Sequence, residues 1–96
     1  MEIPKIYATK RSLYRLVRDN AGANMELPLC KYTQFSSVAQ RGGHRGYFLR
    51  WDSYTAYLTL WAGLGQLRIS SSGSRKDIVT NISLTELAAR GMTRTA

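Results

Sequence analysis

The residues from His44 to Ser71, HRGYFLRWDSYTAYLTLWAGLGQLRISS, are the stretch from which the fold is predicted. They include both tryptophans of the 96-residue chain and three of its six tyrosines. Polar and apolar side chains alternate along much of the stretch, as is typical of strands that bury one face. No other long segment of the sequence is equally able to build a hydrophobic core.

Two turns divide this stretch into a predicted meander of three antiparallel strands. Asp52-Ser53 suits the first turn, because short polar side chains hydrogen-bond their own backbone there. A two-residue hairpin at this point predicts three opposed pairs, Trp51 with Tyr54, Leu49 with Ala56, and Tyr47 with Leu58. Ala62–Gly65 suits the second turn, which predicts Leu60 opposite Leu67 and Leu58 opposite Ile69.

The predicted meander separates an apolar face from a mixed face. The apolar face collects Tyr47, Leu49, Trp51, Tyr54, Ala56, Leu58, Leu60, Leu67 and Ile69. The mixed face collects Phe48, Arg50, Thr55, Tyr57, Thr59, Trp61, Gln66, Arg68 and Ser70. A slip of one residue in the register would mix the two sets, so their separation favours the meander.

A helix over residues 53–64 is the competing interpretation of the same stretch. Asp52 would be its N-cap, and Tyr54, Tyr57, Leu58, Trp61 and Leu64 recur at helical spacing. The aromatic and β-branched content of these residues favours strands.

Two short helices are predicted outside the meander. Thr9 can cap a helix over Lys10–Asn20, which Gly22 can end. Its apolar side carries Leu13, Leu16 and Val17, and its basic side carries Arg11, Arg15 and Arg18. Near the other end, Ser83 and Glu86 form a capping box for a helix over Leu84–Arg90 that ends at Gly91. This helix is predicted to bury Leu84, Leu87 and Ala88.

The remaining segments predict edge strands and loops. Pro4–Thr9 and Glu26–Phe35 each contain a proline and suit edge strands, and Asp77–Ser83 suits a further strand. We predict that Ser36–Gly46 is a flexible basic loop and that Thr93–Ala96 is a frayed tail. The predicted fold is one α+β domain over residues 1–96. Its antiparallel sheet, with a central meander at about 46–71 and edge strands, is covered on one face by two short helices.

The composition limits the classes of function. Lysine and arginine number 14 against six acidic residues, which gives a formal charge of +8. A basic domain of this size attracts polyanions, of which nucleic acid is the most common. The single cysteine, Cys30, cannot form an internal disulfide, and the sequence begins without an apolar signal core. We therefore expect a cytoplasmic protein without membrane association. With one histidine and one cysteine, neither a metal site nor another cofactor is expected.

The sequence favours a non-enzymatic protein that binds single-stranded RNA or DNA. A basic helix supplies charge, and aromatic side chains with arginines on a sheet face can stack bases and contact phosphates. The candidate contacts are Lys10, Arg11, Arg15, Arg18, Arg41, Arg45, Phe48, Arg50, Tyr57, Trp61 and Arg68. The alternative is a small interaction or inhibitor protein of the phage or mobile-element type. It would dock the same surface on a nucleic-acid-handling complex, or form a homodimer, because Tyr, Trp and Arg also dominate protein interfaces.

A third hypothesis concerns His44. The residues Gly42-Gly43-His44-Arg45-Gly46-Tyr47 resemble the Gly-Ser-His-x-x-Tyr strand of small messenger-RNA-cleaving toxins of the HicA kind, with Gly43 in place of the serine. The resemblance covers six residues and implies a general-acid or general-base role for His44. It makes an RNA-cleaving toxin the remote alternative to the two binding functions.

Overall fold

The computed structural model describes residues 4–20, 34–51, 54–71 and 77–94. Within these ranges the helices and strands follow one another as β1 (Lys5–Ile6), α1 (Lys10–Asn20), β2 (Gln34–Ala39), β3 (Arg45–Trp51), β4 (Tyr54–Trp61), β5 (Leu64–Ser71), β6 (Ile78–Ile82), α2 (Leu84–Ala89) and β7 (Thr93–Arg94). Strands β2 to β6 form a five-stranded antiparallel sheet in sequence order, and β1 pairs with β7 in a separate small sheet. The predicted α+β architecture is confirmed.

The first hairpin of the meander has the predicted register. Strands β3 and β4 pair Trp51 with Tyr54, Leu49 with Ala56, and Tyr47 with Leu58. Residues 54–61 are a strand, so the helix that was the competing interpretation of 53–64 is wrong. Aromatic and β-branched side chains in this segment pack against neighbouring strands on both sides, which a pleated surface accommodates well.

The second hairpin is tighter than predicted. Its turn is Ala62-Gly63, with Trp61 paired to Leu64, so Leu60 lies opposite Gly65 rather than Leu67. Both turn residues have positive φ, 51° at Ala62 and 78° at Gly63, as in the two-residue turns whose twist matches that of the flanking strands. Because the register error is two residues, every side chain keeps its predicted face.

The hydrophobic core lies on the apolar face of the five-stranded sheet. Leu49, Leu58 and Leu67 are fully buried there. The apolar sides of α1 and α2 and the buried residues of the small sheet join the same core cluster. Both helices therefore cover one face of the sheet, as predicted, and the small sheet contributes to the same layer.

The helix boundaries follow their capping residues. Ser12 N–H donates a hydrogen bond to the Thr9 hydroxyl at the start of α1, and Glu86 N–H donates one to the Ser83 hydroxyl at the start of α2. Both hydrogen bonds are 3.1 Å long. Gly91 follows α2 with φ 72°. The prediction that Ala88 is buried was wrong, since it is exposed, while Leu87 is buried and Leu84 half-buried. The predicted stop at Gly22 lies outside the described residues.

Two terminal segments differ from the predictions. Pro4–Thr9 does not provide an edge strand of the main sheet, because β1 pairs with β7, Lys5 opposite Arg94 and Ile6 opposite Thr93. Residues 93–94 of the predicted frayed tail are therefore a strand, and residues 95–96 lie outside the described residues. Burial of Ile6 and of Met92 in the core explains why these distant segments meet.

The segment before β3 also differs from its prediction. Residues 36–39 are not loop but part of β2, which pairs with β3 from Gln34 opposite Arg50 to Ala39 opposite Arg45. Only a short connection remains, with a single 3-10 turn at Arg41–Gly43. Of the strand predicted at Glu26–Phe35, residues 26–33 lie outside the described residues. The unpaired edge of β3 overrides the weak strand propensity of QFSSVA, since pairing satisfies the backbone N–H and C=O groups of both segments.

Candidate nucleic-acid interface

The mixed face of the five-stranded sheet is the side opposite the two helices. Across its middle, one side chain from each strand lies directly opposite the next. This row runs Ser36, Phe48, Tyr57, Arg68 and Val79. Adjacent strands lie about 4.8 Å apart, so the row extends across almost the whole width of the sheet.

The aromatic side chains of this face are accessible. Phe48 and Tyr57 contact each other across β3 and β4, with ring centroids 6.0 Å apart and planes inclined by 42°. Tyr57 is 43% exposed and Trp61, four residues further along β4, is 66% exposed, while Phe48 is half-buried. A ring with a free π-face is what base stacking requires.

Two arginines lie among these rings. Arg68 is directly opposite Tyr57, and its guanidinium lies 3.7 Å from the carboxylate of Asp77, in a pair that is half exposed on both sides. Arg50 is exposed, and none of the ion pairs among the described residues includes it. Among the described residues, the face therefore offers one exposed cation without an ion-pair partner beside its aromatic side chains.

Aliphatic residues of the same face were missed by sequence reasoning. Val38 is 50%, Leu64 39% and Val79 47% exposed, and all three belong to strand positions on the mixed face. Val38 was assigned to a loop, and Val79 to a strand without a predicted face. Period-two alternation counted back from the buried Ile82 would have placed Val79 correctly.

The basic helix lies on the other side of the sheet from the aromatic side chains. Lys10, Arg11, Arg15 and Arg18 are exposed on α1, whose buried residues pack on the apolar face. Arg18 also lies 3.6 Å from Asp19. The two halves of the predicted binding surface are thus not contiguous, because the helix must turn its apolar side toward the sheet.

Asp19 joins the two helices that cover the core. Arg90, just after α2, donates a hydrogen bond of 2.9 Å to its carboxylate. This bond lowers the pKa of Asp19 below its ordinary value, and the positive charges of Arg90 and Arg18 lower it further. The ion pair is exposed and belongs to the covering layer rather than to the mixed face.

The two remaining candidate arginines lie at the start of β3 and in the turn just before it. Arg41 belongs to the 3-10 turn between β2 and β3. Arg45 begins β3 on the apolar-face side, where its guanidinium donates to the Ser37 hydroxyl. Of the predicted contacts, the structure brings together Phe48, Arg50, Tyr57, Trp61 and Arg68.

His44 is half-buried in the connection before β3, and its Nδ1 atom is buried without a hydrogen-bond partner among the described residues. No described acid or base forms a hydrogen bond that would orient the imidazole, so the described residues add no support to the toxin hypothesis. The described part of the chain also contains no cluster of three His, Cys, Asp or Glu side chains that could hold a metal ion.

None of the described helices is long and apolar enough to span a membrane. No protein-family model matches the chain, and the comparisons with curated proteins and with solved structures found no similar protein.

Proposed function

We propose that the protein is a non-enzymatic nucleic-acid-binding module that holds single-stranded RNA or DNA against the mixed face of its sheet. The observation that carries the proposal is the exposure of Tyr57 and Trp61 beside Arg50 and Arg68 on a sheet face that neither described helix covers. Stacking on the rings and contact with phosphates would act together on the same strand.

The charge of the whole chain supports a polyanionic ligand. A formal charge of +8 on 96 residues raises the local concentration of nucleic acid around the molecule before any specific contact forms. The basic side of α1 contributes to this attraction. A strand lying on the mixed face would reach α1 only by passing around an edge of the sheet.

Protein docking is the second candidate function, and a specific observation favours it. Val38, Leu64 and Val79 are exposed on the mixed face, and aliphatic side chains stack bases poorly. The three side chains lie on different strands, β2, β5 and β6, but exposed apolar surface on one face of a sheet is typical of protein interaction sites. The partner would be a nucleic-acid-handling complex or a second copy of the chain.

A titration of a labelled single-stranded oligonucleotide at two salt concentrations tests the proposal. Tyr57→Ala and Trp61→Ala should each lose about 1–3 kcal/mol of binding free energy per lost stack, with little change between the two salt concentrations. Tyr57→Phe keeps the ring and is the matched control, which should bind like the wild type. Binding by both alanine variants at wild-type affinity would contradict the proposal.

Arginine variants should change the salt dependence of oligonucleotide binding, which the aromatic variants should leave nearly unchanged. Arg50→Ala should make the dependence of log K on log salt shallower by roughly 0.7, as expected for one lost phosphate contact with a single strand. Replacing Arg11, Arg15 and Arg18 together by alanine tests whether the strand reaches α1. Loss of a dimer or protein complex in Tyr57→Ala, with oligonucleotide binding unchanged, would favour the docking function instead.

A further inference from the structure

A second site lies on the opposite side of the sheet from the mixed face. There the small β1–β7 sheet meets the margin of β2 and β3 around a pocket of about 530 Å³. Its lining includes three cations, two tyrosines and a serine: Lys5, Arg45, Arg94, Tyr7, Tyr47 and Ser37. The volume is within the range of small-molecule sites.

The two guanidinium groups of the pocket are held in position by neighbouring side chains. Arg45 Nε and Nη2 donate hydrogen bonds of 3.3 and 3.2 Å to the Ser37 hydroxyl. The Arg94 guanidinium lies over the ring of Tyr7, 3.9 Å from its centroid. Such anchoring reduces the conformational entropy that each arginine would lose on binding a ligand.

The positive charge of the pocket is not compensated by the described residues. Lys5 lies opposite Arg94 in the β1–β7 register, so three cationic side chains surround one concavity. The ion pairs among the described residues involve the cations Arg18, Arg68 and Arg90, and none involves a cation of this pocket. A concave surface of one charge sign concentrates ligands of the opposite sign.

Tyr7 and Tyr47 provide an aromatic wall to the pocket. Tyr7 and Tyr47 meet edge to face, with ring centroids 6.4 Å apart, and Phe35 stacks on Tyr47 at 6.0 Å. The pocket thus combines anchored cations with apolar ring surface and tyrosine hydroxyls. Guanidinium groups bind phosphate oxygens through paired N–H donors, and the rings can pack against an organic group attached to the phosphate.

We infer that this pocket binds a phosphate monoester, with Arg45, Arg94 and Lys5 on the phosphate and the tyrosine rings against its organic group. Two sources share this chemistry, a free mononucleotide and the terminal phosphate of a nucleic-acid strand. The inference does not depend on ligand binding at the mixed face, because the two sites share no residue and lie on opposite sides of the sheet.

Isothermal titration with adenosine 5′-monophosphate, and with adenosine as the matched ligand without phosphate, tests the inference. The nucleotide should bind and adenosine should bind at least about tenfold more weakly. The double variant Arg45→Gln/Arg94→Gln should weaken nucleotide binding by about tenfold or more, since it removes charge-assisted hydrogen bonds. Arg11→Gln/Arg15→Gln changes the net charge equally on α1 and should leave binding unchanged.

If the double variant does not fold, the same titration is performed on Lys5→Gln, which should also weaken nucleotide binding. This substitution removes a pocket cation without altering either anchored arginine. Equal binding of adenosine and its monophosphate, or equal losses in the pocket and α1 variants, would overturn the inference.

The two sources of the phosphate are distinguished by measurements on the Trp61→Ala variant, in which nucleic-acid binding at the mixed face is expected to be weaker. If a 5′-phosphorylated oligonucleotide binds more tightly than both its 5′-hydroxyl form and the free nucleotide, the ligand is the phosphorylated end of a nucleic-acid strand. Nucleotide binding without that preference identifies the free ligand.

Discussion

The two faces of the five-stranded sheet are built from the same strands, yet they differ in what covers them. In β4, Leu58 is fully buried under the helices, while its neighbour Tyr57 is 43% exposed on the mixed face. Burial of apolar area supplies most of the stability of a small domain, so the apolar face supports folding. Side chains on the mixed face contribute less to folding and are correspondingly free to contact a ligand.

The largest expected difference between the faces is in stability. Leu58→Ala should lower the free energy of unfolding by about 2–5 kcal/mol, because it removes a fully buried side chain and leaves a cavity. Tyr57→Ala should cost much less, since part of its ring already contacts water. Chemical denaturation of both variants measures the difference. Equal losses would mean that the mixed face is as tightly packed as the core.

Substituting alanine for a glycine on each face tests the difference in packing between the apolar and the mixed face, because it adds a methyl group instead of removing side-chain atoms. An alanine Cβ at Gly65 would lie 2.6 Å from Leu87 Cδ1 and 3.2 Å from the Ile82 carbonyl oxygen. Gly65→Ala should therefore destabilise the protein by about 1–3 kcal/mol.

Gly46, on the mixed-face side, is the matched control for Gly65. A Cβ there would lie 3.3 Å from side-chain atoms of Gln40 and of Thr59, which are freer to move than backbone. Gly46→Ala should cost less than Gly65→Ala in the same denaturation experiment. A larger loss of stability in Gly46→Ala than in Gly65→Ala would show that the side chains packed against Gly65 move aside more easily than their contacts indicate.

The cap of α2 affects only the covered face. Ser83→Ala should lower the free energy of unfolding by about 1 kcal/mol, because the N–H of Glu86 loses its side-chain acceptor. Thr85→Ala, at an exposed position within the same helix, is the control and should have little effect. Oligonucleotide binding by Ser83→Ala under folded conditions should match the wild type, and a selective loss would show that α2 participates in binding.

The turn between β4 and β5 sets which face each side chain of the second hairpin occupies. Ala62 has φ 51°, a conformation that Asn adopts more readily than Ala. Ala62→Asn should raise the free energy of unfolding by up to about 1 kcal/mol. Gly63→Ala, at φ 78°, should lower it, and thermal melts of the two variants should move in opposite directions.

The sequence alone determined the two faces and the two capped helices. Alternation around Leu49, Leu58 and Leu67 fixed the core side, and the Ser83 cap fixed the start of α2, because both signals depend on residues close together in the chain. The register of the second hairpin was missed by two residues without exchanging the faces, since strand side chains repeat with a period of two.

Only the tertiary structure decided how distant segments pair and where charged side chains meet. The weak propensity of residues 36–39 and of the tail did not indicate strands, and both pair because a neighbouring strand supplies partners for their backbone groups. The same packing separates the basic side of α1 from the mixed face and brings Lys5, Arg45 and Arg94 around one pocket. Residues so far apart in sequence are brought together only by the packing of the whole fold, so no local pattern can predict their proximity.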